Sequence, residues 1–218
     1  FEFNGWLLNG EIVKINGESE LKVGQRCVIA TSLGCGECEY CKQGKQYICN
    51  ESSEIGYTPH NGGYEEYLKV PISTIVPIPD TVTDSQAAIL ESWVCPTESL
   101  MNVGVEKGST VLVTGNGPAA LAYIAISKYM GAKNVISVIR NDDKQELVKD
   151  LGATHVINSK TQNVVLELEK ITNGNKAELL FDFCNLRLLL SSTGKNDSGL
   201  CGLLSFNRAD NNTVCKGL

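Results

Sequence analysis

Residues 110–139 read TVLVTGNGPAALAYIAISKYMGAKNVISVI. An aliphatic run ends at Gly115-Asn116-Gly117, an apolar helical stretch opens at Pro118, and a second apolar run, NVISVI, follows Gly131 and Ala132. Strands that are apolar on both faces belong inside a parallel sheet, and a strand, a helix and a second strand in this order form a right-handed β-α-β unit. Downstream the alternation continues. DDKQELVKDLGA (142–153) predicts a helix, HVIN (155–158) a strand, VVLELEKIT (164–172) a helix and AELLFDFC (177–184) a strand, with GLCGLLSFN (199–207) as a candidate fifth strand. The fold class is therefore α/β.

Upstream the pattern changes. GEIVKI (10–15), QRCVIA (25–30), YEEYLKVP (64–71) and STIVPIP (73–79) predict short strands separated by Gly, Pro and Asn, which makes a smaller β-rich lobe. Between the two regions Thr83, with Gln86 three residues later, forms a capping-box pattern that opens the apolar helix DSQAAILESWV (84–94). The expected organisation is a β-rich lobe over 1–82, a connecting helical segment over 83–108 and an α/β domain over 109–218.

The 218 residues carry 19 Lys and Arg against 25 Asp and Glu, a formal net charge of −6. An acidic surface repels phosphate backbones, so no nucleic-acid partner is expected. No apolar run reaches the roughly 20 residues that span a bilayer, and FEFNGWLLNGEIVK lacks the basic start and apolar stretch of a signal peptide. A cytoplasmic protein with no membrane partner is the expectation. In a reducing compartment nine Cys argue for metal binding or free thiols rather than a disulfide framework.

Spacing separates the cysteines. Cys27, Cys95, Cys184, Cys201 and Cys215 stand singly, whereas Cys35, Cys38, Cys41 and Cys49 fall in GCGECEYCKQGKQYICN (34–50). Cys-x-x-Cys-x-x-Cys with a fourth Cys after seven residues suits one tetrahedral Zn²⁺, with Lys42 and Lys45 offsetting the net negative charge of four thiolates. Such a site is structural, because four protein ligands leave no position for water or substrate. An iron–sulfur cluster and a redox-switched thiol set are the competing readings.

The glycine turn has a chemistry of its own. Gly115 permits a tight turn, Gly117 allows close approach of a pyrophosphate, and Ala120 permits close helix–strand packing; Asn116, Pro118 and Ala119 complete a phosphate cradle at a helix amino terminus. The residue that would accept a ribose 2′-hydroxyl belongs at the end of the second strand, where Ile139 stands and Arg140 follows. A guanidinium can hold a 2′-phosphate, so NADP(H) is favoured over NAD(H). Arg140 as a solvated side chain, Asp142 or Asp143 as the ribose acceptor, and no cofactor at all are the alternatives.

Taken together, the four-cysteine knuckle, NGGYEEYLKVP, the 108–138 stretch and LGATHVIN resemble the zinc-containing medium-chain alcohol and polyol dehydrogenases over roughly residues 5–184. The resemblance implies a GroES-like lobe followed by a Rossmann lobe, and hydride transfer between NAD(P) and a small alcohol, polyol or carbonyl. It also implies a second, catalytic zinc and a homo-oligomeric assembly. Family members generally have Gly-His-Glu-x-x-Gly, and the best gapless match is Gly5-Trp6-Leu7-Leu8-Asn9-Gly10, which replaces the His ligand by Trp6. A further Cys ligand is expected upstream of this sequence. The third, on the connecting helix, corresponds to Glu91, with Cys95 one turn beyond. Glu91 is thus the catalytic candidate, His60 a lesser one, and His155 a packed strand residue. Trp6 and Trp93 read as apolar filling, and Cys27, Cys184 and Cys201 as buried and inert.

After Cys184 the resemblance implies further sheet strands and a return to the first lobe, which LRLLLSSTGKNDSGLCGLLSFNRADNNTVCKGL does not supply. The sequence is expected to be a fragment of a longer enzyme, an incomplete record of one, or a degenerate relative. A non-catalytic, zinc-stabilised relative or fragment that at most binds a dinucleotide is the alternative to a working oxidoreductase.

Overall fold

The computed structural model describes residues 8–183, together with the backbone of two short strands at 203–205 and 214–215. The chain divides into two compact units, Phe1–Ser92 and Trp93–Leu218.

In the first unit β1 (Asn9–Glu11) pairs antiparallel with β2 (Arg26–Ile29), which pairs antiparallel with β5 (Ile75–Pro77). A second, two-stranded ladder joins β3 (Ser32–Leu33) to β4 (Ser53–Glu54). Helix α1 (Glu39–Lys42) lies between β3 and β4 in sequence. Two expectations change here. The strand expected over 10–15 stops at Glu11, because Ile12 turns to bond Gln25 and Gly24 while Val13 is left exposed. Residues 64–71 form no strand: 64–67 are bends and 68–71 have no regular structure. Tyr64 and Tyr67, which an alternating strand would set on opposite faces, are both exposed, and only Leu68 and Val70 of the segment are half-buried.

Helix α2 (Asp84–Val103) begins as its capping box predicts: the Thr83 N–H donates to Gln86 Oε1 at 2.9 Å and the Gln86 N–H to Thr83 Oγ1 at 3.2 Å. It runs on through Pro96, nine residues beyond the expected end at Val94. The apolar positions continue past the proline, Leu100 being fully buried, and packing outweighs the lost hydrogen bond.

The second unit is built on β6 (Thr110–Thr114), α3 (Pro118–Tyr129), β7 (Asn134–Ile139), α4 (Gln145–Asp150), β8 (His155–Asn158), α5 (Val164–Thr172) and β9 (Leu179–Asp182). β10 (Leu203–Ser205) continues the parallel sheet beside β9, and β11 (Val214–Cys215) pairs antiparallel on its edge. The strand order β11-β10-β9-β6-β7-β8 reverses direction between β6 and β9. One face packs Ala120, Tyr123, Ile124 and Val148 of α3 and α4 onto Val111, Val113, Val135 and Phe181. The other packs Val164, Leu168 and Ile171 of α5 onto Leu112, Ile136, Val138 and Leu180. Helices on both faces of a parallel sheet make a doubly wound domain. Trp93 packs on the first of these cores. Among the described residues no helix is long and apolar enough to cross a membrane.

Candidate functional site

The cysteine knuckle is assembled by local turns. The sulfurs of Cys35, Cys38, Cys41 and Cys49 all lie within 4.8 Å of one another, with Cys35 and Cys41 at 4.0 Å, and none is in a disulfide. Four thiolates about 2.3 Å from one dication lie about 3.8 Å apart in a tetrahedron, so the cluster fits a zinc ion with little adjustment. Backbone N–H groups aim at the sulfurs. Cys38 donates to the Cys35 Sγ, Cys41 to the Cys38 Sγ, and Glu51 to the Cys49 Sγ, each at 3.4 Å, and Cys35 donates to the Cys49 Sγ at 3.5 Å. Donors directed at sulfur favour the thiolate. The Cys35 and Glu51 N–H groups bring the Cys49 thiol down to about 7. At Cys41 the Gly36 N–H works in the same direction, but burial and the sulfurs of Cys38, Cys49 and Cys35 push the thiol up to about 12. Four sulfurs this close cannot all ionise alone, and a central dication removes the conflict. Lys42 and Lys45 are exposed in the same loop.

At the carboxyl end of β6 the chain turns as the sequence expects. Gly115 adopts φ 111°, in the region that favours glycine, and its N–H donates to the Val138 carbonyl at 2.8 Å. Gly117 is the N-cap of α3, Pro118 is its first residue, and a Cβ on Gly117 would meet nothing within 4 Å. Asn116 is half-buried and Ala119 exposed, while Ala120 is buried against the sheet. The cradle therefore opens outward over the free N–H groups of a helix amino terminus.

Arg140 follows β7 directly and is exposed, and its guanidinium has no ion-pair partner among the described residues. Asp142 is engaged, accepting from Asn158 Nδ2 at 2.8 Å on Oδ1. Lys144 is a neighbour that the sequence reading overlooked. Its Nζ donates to the Asn116 carbonyl at 3.2 Å, which places an ammonium against the glycine turn. A Lys in a helical stretch carries no local signal of such a contact.

Glu91 lies on α2, half-buried. Its carboxyl is pushed up from the ordinary range, first by burial and then by the negative charge of Glu54. Glu54 accepts from Ser32 Oγ at 2.7 Å, and its other oxygen is buried without a hydrogen-bond partner. His60 is exposed, its Nε2 3.0 Å from Ser53 Oγ. His155 begins β8 with Nδ1 3.0 Å from Thr154 Oγ1. Cys27 is buried, its thiol raised by that burial, and Cys95 is exposed on α2. Trp6, Cys184 and Cys201 lie outside the described residues. Outside the knuckle, no three His, Cys, Asp or Glu side chains converge among the described residues.

Residues 3–80 match the family model described as the alcohol dehydrogenase GroES-like domain, and residues 118–194 match that of the zinc-binding dehydrogenases. An L-threonine 3-dehydrogenase of Legionella pneumophila is 34% identical over 156 residues, covering 71% of this chain and 45% of that protein. A sorbitol dehydrogenase of Bacillus subtilis is 29% identical over 174 residues, covering 79% of this chain and 49% of that protein. An Escherichia coli alcohol dehydrogenase solved with NADH superposes with a TM-score of 0.72 at 26% identity, covering 93% of this chain and 60% of that one. The chain spans about half the length of the curated relatives it matches.

Proposed function

Because the chain belongs to the zinc-containing medium-chain alcohol and polyol dehydrogenase family, we propose that its protein is an oxidoreductase transferring hydride between NAD(P) and a small alcohol, polyol or carbonyl. The observation that carries this reading is the turn Gly115–Pro118, open at a helix amino terminus beside the point where the sheet order reverses. That is where a doubly wound domain receives a dinucleotide.

In this reading Gly115, Asn116, Gly117, Pro118 and Ala119 cradle the pyrophosphate, whose charge the free N–H groups and the α3 dipole stabilise. Arg140 and Lys144 supply positive charge at the end of β7, and with Ile139 in place of an acidic residue they favour NADP(H). The likeness to a protein solved with NADH keeps the other cofactor in play. The bound dinucleotide supplies the hydride acceptor or donor. Cys35, Cys38, Cys41 and Cys49 hold a zinc that fixes their loop and takes no part in the reaction, since its four positions are filled. Glu91 is the active-site carboxyl. It belongs to no converging group of three or more His, Cys, Asp or Glu side chains among the described residues. We place the lobes at 1–82 and 109–218 with the segment 83–108 between them, and expect a homo-oligomer.

Zinc content per chain, measured together with NADH and NADPH titration, tests the proposal. One or more zinc ions and saturable dinucleotide binding are expected; absence of dinucleotide binding would leave only a zinc-stabilised scaffold.

A further inference from the structure

Four rungs join β6 to β9: Val111 with Leu179, Leu112 with Leu180, Val113 with Phe181, and Thr114 with Asp182. The first three are apolar. The fourth, at the carboxyl ends where the crevice of a doubly wound sheet lies, is a polar pair. The Thr114 hydroxyl donates to Asp182 Oδ1 at 2.5 Å, and the two residues are 1% and 7% exposed. The next residue adds two contacts, since the Phe183 N–H donates to Thr114 Oγ1 at 3.2 Å and to the Thr114 carbonyl at 3.1 Å.

A carboxylate is a costly way to join two buried strands, because its desolvation must be offset by hydrogen bonds. The three apolar rungs join the same strands without one. What the polar rung adds is a directed hold on the residue immediately before Gly115. On the opposite flank the Gly115 N–H is bonded to Val138 of β7. The root of the turn is therefore fixed from both neighbouring strands.

We propose that Asp182 is a positioning residue for the dinucleotide turn, acting through the Thr114 hydroxyl to hold Gly115–Pro118 in register with a pyrophosphate. The inference rests on the reading of that turn as the dinucleotide cradle. Thr114 is the contact and Asp182 sets its orientation. A ligand bearing a pyrophosphate feels the loss, whereas one that lacks it does not.

The test titrates the full chain with NADH by fluorescence, and with ADP and AMP by calorimetry. Asp182→Leu and Thr114→Val should each weaken NADH and ADP by roughly 10-fold or more, the scale of a lost charge-assisted hydrogen bond, and leave AMP within about twofold. Asp182→Asn and Thr114→Ser keep an acceptor and a hydroxyl and should restore most of the affinity. The double variant Thr114→Val with Asp182→Leu should bind no worse than either single change. Equal NADH affinity in Asp182→Leu would overturn the inference and leave the cradle reading standing. So would a uniform loss for all three ligands, the mark of a general loss of structure, or additive losses in the double variant. If the unsubstituted chain binds neither NADH nor ADP, the cradle reading itself fails and takes this inference with it.

Discussion

A Cβ placed on Gly34 would stand 2.5 Å from the Sγ of Cys41, closer than real side-chain contacts allow. The obstacle is a proposed metal ligand in a buried position, and Gln46 side-chain atoms stand at 3.2 Å from the same point. Gly34→Ala should therefore displace Cys41 and weaken zinc binding by roughly 10–100-fold, the range found when the groups that orient ligands are altered. Competition with a chromophoric chelator measures it. Affinity equal to that of the unsubstituted chain would show that the loop absorbs a methyl group without moving the sulfur.

Removing a sulfur is more severe than displacing one. Cys38 caps α1, accepts the Cys41 N–H, and contributes one corner of the cluster. Cys38→Ser should release the metal and unfold residues 35–49, since metal binding in such a loop is local folding free energy. Zinc stoichiometry and proteolysis within the loop are the measurements, and a variant that keeps both its zinc and its protease resistance would overturn the assignment.

Glu91 predicts a pH dependence whose direction is set by the raised carboxyl. An acid raised on folding binds its proton more tightly in the folded state. Stability contributed by the protonated form is full below the unfolded value, near 4.3, and is lost as pH rises through the folded value. Glu91→Gln should flatten that part of the stability curve and raise the melting temperature relative to the parent at pH 7. Calorimetric scans between pH 4 and 8 check this; parallel curves for the two proteins would remove the burial of Glu91 as their cause.

The sequence made most of this architecture legible because its strongest signals are local. The Thr83 and Gln86 pair form the reciprocal cap that their spacing announces, and the strand before Gly115 and the start of the helix after it fall within a residue of the expected bounds. The four cysteines converge because all of them sit within a short, turn-rich loop. The expected strand at 64–71 failed because a short β-prone segment forms a strand only where a partner and a core face exist, and a single segment cannot report either. The Lys144 contact with Asn116 and the rung between Thr114 and Asp182 join residues 28 and 68 positions apart, so no periodicity reveals them.

Cofactor choice is the last consequence of that long-range geometry. Three of the groups that could meet the adenosine ribose are accounted for: Ile139 is buried and aliphatic, Asp142 is held by Asn158, and Lys144 is turned toward the Asn116 carbonyl. Asp143 and Arg140 remain, both exposed, and Arg140 has no ion-pair partner among the described residues. A guanidinium in that position gains a bidentate contact only from a 2′-phosphate, whereas a 2′-hydroxyl offers it one acceptor at most. Arg140→Ala should therefore weaken NADPH by about 1 to 3 kcal/mol and NADH by much less. Lys144→Ala provides the contrast, because an ammonium against the shared turn serves both cofactors and its loss should weaken them alike. Parallel fluorescence titrations of the two variants with both nucleotides separate the roles. If Arg140→Ala lowers both affinities equally, or if the parent binds NADH more tightly than NADPH, the preference assigned to Arg140 is wrong and the ribose must be read by another group at the end of β7.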